Sequence, residues 1–91
     1  MSVYMVTYDL NTPGQDYTSL IKAIENYIHC KALKSAYFID SGESAVNIRD
    51  NLMKYIDSND MLFVIEQTKY WGANRRSPAT DWLQASNRTW S

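Results

Sequence analysis

Few residues in this sequence could carry chemistry, and the first of them is an aspartate. Asp9 follows residues 3–8, which are rich in β-branched and aromatic side chains, and precedes a loop of Asn, Thr, Pro and Gly at positions 11–14. This composition predicts that Asp9 ends a strand. Asp9 is the strongest candidate for a functional carboxylate. The alternative is that it only accepts hydrogen bonds from loop amides, which is common turn chemistry for aspartate.

The loop after Asp9 leads into a predicted helix. Residues 11–15 contain Asn11, Pro13 and Gly14, and helical spacing of apolar residues begins soon after them. The free amides and the positive dipole end of that helix could receive a phosphate group, which makes Asn11 a candidate binding residue. The alternative is a Pro-Gly turn that redirects the chain, because the spacing matches no phosphate-binding loop.

His29 and Cys30 are adjacent, and the sequence contains no second histidine or cysteine. One cysteine excludes an intramolecular disulfide and any zinc site built from several cysteines. The pattern places both residues at the end of the first helix, where neighbours point in different directions. We therefore expect structural roles for both, with Cys30 packed as a small apolar group.

Aromatic residues are abundant, with seven Tyr, three Trp and two Phe in 91 residues. Tyr4, Tyr8, Tyr37 and Phe38 fall in predicted strands, where such rings could stack nucleic-acid bases or form a protein interface. Tyr8 is a candidate for nucleic-acid or partner binding. Tyr4 and Phe38 are candidates for a dimer interface, which the small core also favours.

Residues 68–91 form a basic tail behind an acidic body. Residues 1–67 hold five basic and nine acidic side chains, whereas the tail holds four basic side chains against Asp81 alone. All three tryptophans lie in the tail, and Trp71 stands close to Arg75 and Arg76. These three residues could bind single-stranded nucleic acid or a protein partner. A third interpretation is that the tryptophans cover the protein's own sheet.

The elements that position these residues alternate along the chain. Strand-like segments lie at residues 3–8, 31–40 and 61–65, the second with a break near Lys34 and Ser35. Helical patterns separate them, and Ser44 is the predicted cap of the second helix. Residues 61–65 are a continuous apolar run, which predicts a strand covered on both faces. Ser77 and Pro78 predict a short helix in the tail.

This order predicts an α+β fold, a ferredoxin-like βαββαβ plait whose helices lie on one face of an antiparallel sheet. Residues 1–67 form the plait, and residues 68–91 are a C-terminal extension of the same domain. One apolar face of the sheet then needs a cover, and a chain of 91 residues buries a modest share of its surface. We therefore expect a two-fold homodimer.

The overall composition sets further limits on function. The net charge of -1 gives no general attraction to nucleic acid. No apolar run approaches the roughly 20 residues that span a bilayer, so we expect no membrane partner. The single cysteine and the absence of a signal-like start predict a cytoplasmic protein.

Several motifs in residues 3–67 resemble those of a known superfamily. They are Tyr8-Asp9-Leu10 with the following Pro13-Gly14 and Tyr17, then Leu33-Lys34-Ser35, Ile48-Arg49-Asp50 and Ile56-Asp57-Ser58-Asn59-Asp60. In these the chain resembles the CRISPR-associated Cas-two-like and VapD-like superfamily of small ferredoxin-like proteins. It is most similar to the short bacterial and phage proteins labelled "SinR family".

The resemblance implies a two-fold dimer and, in catalytic members, a metal-dependent nuclease acting on RNA or DNA. The family's metal-binding aspartate falls on Asp9, so Asp9 is the predicted catalytic and metal-binding residue. Two Asp9 side chains facing across the two-fold axis could share one Mg²⁺. The alternative function is a non-catalytic interaction module, from a phage or mobile element, that binds a host or defence protein through its tail.

Overall fold

The computed structural model of the protein describes residues 1–90. It is an α+β structure with one four-stranded antiparallel sheet and three helices, and the strand order is β2-β3-β1-β4. In chain order the elements are β1 (Ser2–Asp9), α1 (Thr18–Glu25), β2 (Ile28–Leu33), β3 (Ala36–Ser41), α2 (Ala45–Met53), β4 (Met61–Gln67) and α3 (Pro78–Gln84). None of these helices is long and apolar enough to cross a bilayer.

Two predicted helix starts are confirmed. The Ser44 hydroxyl accepts a hydrogen bond from the Asn47 amide and caps α2. Ser77 caps α3 in the same way, with Pro78 in the first turn and Thr80 bonding back to the cap. Each cap satisfies amides that have no partner within the helix, so these local signals determine where the helices begin.

The predicted end of the first helix is wrong. Helix α1 ends at Glu25, and residues 28–33 form β2 instead of its last turn. The backbone of β2 pairs with β3 from Ile28↔Asp40 onward, and this long-range pairing outweighs the local helical pattern. The predicted break near Lys34 and Ser35 is confirmed, because β2 and β3 are separate strands.

The face of the sheet that α1 and α2 cover holds the main core; we call it the helix face. Its buried residues from the strands are Tyr4, Val6, Tyr8, Tyr37 and Ile39, and those from the helices are Leu20, Ala23, Ile24, Ile48 and Leu52. Side chains alternate along each strand, so Val3, Met5 and Phe38 point to the opposite face. We call this second face the tail face.

The tail covers the β2–β3 half of the tail face. Val3, Phe38, Ala79 and Leu83 form a second buried cluster there, and all three tryptophans pack against it. This agrees with the interpretation that the tryptophans cover the protein's own sheet.

The β4 half of the tail face lies open. Met61, Phe63 and Ile65 are 55%, 55% and 51% exposed, while the alternate residues Leu62 and Val64 pack into the helix face. The prediction of a strand covered on both faces is therefore wrong for β4, which is an edge strand. A short apolar run does not distinguish the two situations. We call Met61, Phe63 and Ile65 the open stripe.

Candidate functional site

Asp9 lies at one end of the open stripe. It ends β1 and pairs with Met61 of β4, and strand alternation places its side chain on the tail face. The side chain is exposed, and within residues 1–90 its carboxylate makes no hydrogen bond or ion pair. The Asp9 backbone carbonyl accepts a hydrogen bond of 3.4 Å from the side-chain amide of Asn11. The Asp9 carboxylate is thus free to bind a ligand.

A different aspartate holds the loop that follows Asp9. Asp60 Oδ1 accepts hydrogen bonds from the Asn11 amide at 2.8 Å, the Tyr17 hydroxyl at 2.7 Å and the Thr12 hydroxyl at 3.3 Å. Asp60 Oδ2 accepts from the Asp57 amide at 2.8 Å. Desolvation raises the pKa of Asp60, but these four hydrogen bonds outweigh it and lower the pKa below its usual value. Asp60 therefore performs the loop-bonding role that was the alternative for Asp9.

Asn11 and Gly14 give this loop its shape. The Asn11 side chain reaches the Asp9 and Asn59 carbonyls, at 3.4 and 3.3 Å, and so links the ends of β1 and of the loop before β4. Gly14 has a φ of 78°, a conformation that other residues rarely adopt. The loop geometry is that of a braced turn, and Asn11 lies next to Asp9 on an exposed surface.

The predicted aromatic site residues lie inside the chain. Tyr4 is buried on the helix face, where its hydroxyl donates to the Glu43 carbonyl at 2.7 Å. Tyr8 is buried on the same face, and burial, together with the charge of Glu25, raises its pKa. Phe38 is buried under the tail and stacks on Trp82, with ring centroids 6.4 Å apart. None of these three rings lies on a free surface of the chain.

A buried ion pair holds the end of the tail on the sheet. Arg88 Nη1 lies 3.6 Å from Asp40 Oδ2, and the two side chains are only 5% and 2% exposed. The Arg88 guanidinium also lies 3.9 Å from the centroid of the Trp82 ring, within cation–π range. Asp40 also accepts two hydrogen bonds, from the amide and the hydroxyl of Thr89. We call Asp40 and Arg88, with Thr89 and Trp82, the tail latch.

The other tail residues predicted to bind a ligand differ in whether they already have a partner within the chain. Arg76 Nε bonds to Asp81 at 2.8 Å on the surface. Trp71 is partly buried and packs against the tail-face cluster. Arg75 is exposed and has no carboxylate partner within residues 1–90. Arg75 is thus the residue of this group that remains available to an anion.

His29 and Cys30 lie in β2, and their contacts indicate structural roles for both. His29 Nδ1 donates to the Tyr27 carbonyl at 2.9 Å, and the ring leans on Tyr37. Cys30 packs beside the tail-face cluster, and burial raises the pKa of its thiol although Arg88 acts in the opposite direction. A raised pKa lowers the thiolate fraction, which disfavours thiol chemistry.

The donor set for a metal is incomplete in one chain. Within residues 1–90 no group of three or more His, Cys, Asp or Glu side chains could hold an ion. The free Asp9 carboxylate is a hard oxygen ligand of the kind Mg²⁺ prefers, but one carboxylate makes a weak site. The residues fit a metal only if two copies of Asp9 meet.

Comparison with known proteins adds no relative. No protein family model, no curated protein and no solved structure matches the chain. The resemblance to the Cas-two-like superfamily therefore stays a prediction that rests on its quoted motifs.

Proposed function

We propose that this protein is a homodimeric, magnesium-dependent nuclease of RNA or DNA in which two Asp9 side chains form one metal site. The observation that carries the proposal is the free Asp9 carboxylate at the end of an uncovered apolar stripe. The site would be incomplete in a monomer, so the activity depends on the dimer.

The fold supports the proposal. The order β2-β3-β1-β4, with α1 connecting β1 to β2 and α2 connecting β3 to β4, is the arrangement expected of a ferredoxin-like plait. In that plait the helices occupy one face and leave the other to a cover. Here the tail supplies half of that cover, and we propose that a second copy supplies the other half.

The open stripe supports a second copy as the partner. Three large apolar side chains stand side by side, and each is at least half exposed to water. Burying them against their own copies removes apolar surface from water, which contributes about 25 cal/mol per Å². A two-fold axis near Met61 would pack the two stripes face to face. The same axis places the two Asp9 carboxylates side by side, because Asp9 pairs with Met61 across β1 and β4.

In this dimer each chain contributes one carboxylate and one braced loop. Without an ion the paired carboxylates would repel each other, so the pair would favour a bound cation. A Mg²⁺ ion held there would supply charge to polarise a phosphodiester and to acidify a bound water. Asp60 and Asn11 would act as positioning residues, because they fix the loop beside Asp9.

A second candidate function follows from the same stripe. If a host or defence protein covers Met61, Phe63 and Ile65, the chain is a non-catalytic interaction module. The tail is a less favourable surface for such a partner, because Trp82 and Arg88 are used internally in the tail latch. The exposed stripe is the surface that favours it.

The proposed function is tested by cleavage assays on the purified protein. We expect RNA or DNA oligonucleotides to be cut in Mg²⁺ or Mn²⁺, with loss of cutting in EDTA and in Asp9→Asn. Asp50→Asn is the matched control, because Asp50 is an exposed carboxylate on α2 that pairs only with its neighbour Arg49. Absence of cleavage in both metals, with no change of any property in Asp9→Asn, contradicts the proposal.

A further inference from the structure

We propose that a groove beneath the tail binds one nucleotide of a single-stranded nucleic acid, an inference that rests on the proposed function. The groove has a volume of about 500 Å³ and lies between the tail and the tail face of the sheet. Its walls include Met5, Phe38, Trp71, Leu83, Asn74 and Arg75. We call it the tail groove.

The walls of the tail groove suit a nucleobase. Met5 and Trp71 are partly exposed and supply apolar and aromatic surface on which a base can stack, while Phe38 and Leu83 are buried lining residues. The volume falls in the range of roughly 300–1,000 Å³ that is typical of small-ligand sites. A fully apolar ligand would need only these walls, but the groove has polar groups as well.

Two amide side chains at the groove could read the edge of a base. Gln67 Nε2 donates to the Thr68 carbonyl, which leaves the Gln67 amide oxygen as an acceptor. The Asn74 side chain makes no hydrogen bond within residues 1–90 and offers both a donor and an acceptor. Amide groups pair well with base edges, whereas a hydrocarbon chain would leave them unsatisfied.

Arg75 supplies a charge that complements a phosphate. The other two tail arginines are neutralised, Arg76 by Asp81 and Arg88 by Asp40. Arg75 lines the groove, is exposed and has no carboxylate partner within residues 1–90. A guanidinium forms strong, often bidentate hydrogen bonds with phosphate oxygens. The aromatic wall and the two amides suit a nucleobase, and the one unpaired arginine suits its phosphate.

The tail groove also lies on a path to Asp9. Met5 is a groove residue on β1, and Asp9 is four residues further along the same face of this strand. An extended strand rises about 3.3 Å per residue, so their backbones lie roughly 13 Å apart. A single-stranded nucleic acid anchored in the tail groove can therefore run along β1 toward the proposed metal site.

The test measures binding separately from cleavage. Fluorescence anisotropy with labelled octamers of dT and U, in EDTA, should show salt-sensitive binding to the wild type. We expect Arg75→Ala to weaken binding about tenfold, as loss of one charged hydrogen bond does. The slope of log affinity against log salt should also fall by about 1. The matched control Arg49→Ala removes an exposed arginine from α2, on the other face of the sheet, and should change affinity less than twofold.

A second variant tests the groove itself without changing charge. Ala73 is exposed and lines the groove, so Ala73→Phe fills the space where a base would stack without disturbing the core. We expect it to weaken octamer binding at least as much as Arg75→Ala, with an unchanged thermal unfolding midpoint. Free dTMP or UMP should compete with the octamers.

The outcomes separate this inference from the proposed function. If Arg75→Ala and Ala73→Phe leave octamer binding unchanged, the tail groove is not the binding site. This holds even if Asp9-dependent cleavage is found. Absence of any octamer binding overturns the inference too. Groove-dependent binding without cleavage supports the inference and contradicts the nuclease.

Discussion

The two faces of the sheet are closed in different ways. The helix face is covered by α1 and α2, and residues such as Leu20, Ile24 and Leu52 in that core are fully buried. The tail face is covered over the β2–β3 half by residues after β4, and the open stripe on β4 remains exposed. The helix face is thus covered within one chain, whereas the tail face is left partly open.

This difference shows where function can reside. A face filled by its own helices offers no room for a ligand, and its tyrosines Tyr4 and Tyr37 donate internal hydrogen bonds. The tail face holds the free Asp9 carboxylate, the unpaired Arg75 and the tail groove. Every group that we propose to contact a ligand therefore lies on the incompletely covered face.

The largest expected effect comes from breaking the tail latch. Arg88→Met leaves the buried Asp40 carboxylate without its counter-charge, and losing one partner of a buried pair typically costs about 3–5 kcal/mol. All three tryptophans lie in the tail, so their fluorescence reports on the tail face. In a urea titration of Arg88→Met, we expect the tryptophan transition to precede the far-UV circular dichroism transition.

Two further variants control this experiment. Arg76→Met removes an exposed pair with Asp81 and should leave both transitions near their wild-type positions. Adding Asp40→Asn to Arg88→Met removes the uncompensated charge and should recover part of the loss. Equal stability of Arg88→Met and Arg76→Met would show that the latch does not hold the tail.

The next effect tests whether a second copy covers the open stripe. Phe63→Lys puts a charge on the stripe of each copy, and two such changes should cost the dimer about 3 kcal/mol, or roughly 150-fold in its dissociation constant. Sedimentation equilibrium measures this constant. Val46→Lys is the matched control, since Val46 is 54% exposed but lies on α2. Equal dimerisation of both variants would place the interface elsewhere.

The smallest effect concerns the helix face. The Tyr37 hydroxyl donates to Glu25 at 2.9 Å, and burial together with this bond and the Glu25 charge raises the pKa of Tyr37 to about 12. The Tyr37 hydroxyl therefore keeps its proton in the folded state at a pH where it has lost that proton in the unfolded chain. Stability from this group is complete below about pH 10 and is lost as pH rises toward 12.

Tyr37→Phe tests this account of the helix face. Loss of one hydrogen bond from a neutral donor to a charged acceptor should cost about 1.5 kcal/mol at pH 7. Urea titrations between pH 9 and about pH 11 should show a shallower fall in stability than in the wild type. Some slope should remain, because burial also raises the pKa of Tyr8 and of Tyr27. If the fall in stability with pH were as steep in Tyr37→Phe as in the wild type, the raised pKa of Tyr37 would not be its cause.

Local signals predicted the elements better than their partners. The caps at Ser44 and Ser77, and the break near Lys34, depend on a few neighbouring residues, and the sequence was sufficient to find them. The start of β2 depends on pairing with β3, and the exposure of β4 depends on where the tail runs. Such features need the folded chain.

The candidate site shows the same division. Asp9 could be picked from the end of a strand, because composition and loop residues mark that position. The role of Asp60 could not, since three of its four hydrogen bonds join residues 43 to 49 positions apart in the chain. The pair of Asp40 with Arg88 escaped prediction for the same reason: one residue lies in β3 and the other near the end of the tail. Sequence spacing carries no signal for contacts of this kind.

The most direct test of the account is the stoichiometry of metal binding. Isothermal titration calorimetry of the dimer with Mn²⁺ should give one ion for every two chains, and Asp9→Asn should abolish the binding. This result would show that each chain holds half of a site. One ion per chain, or binding that Asp9→Asn leaves unchanged, would contradict the shared site.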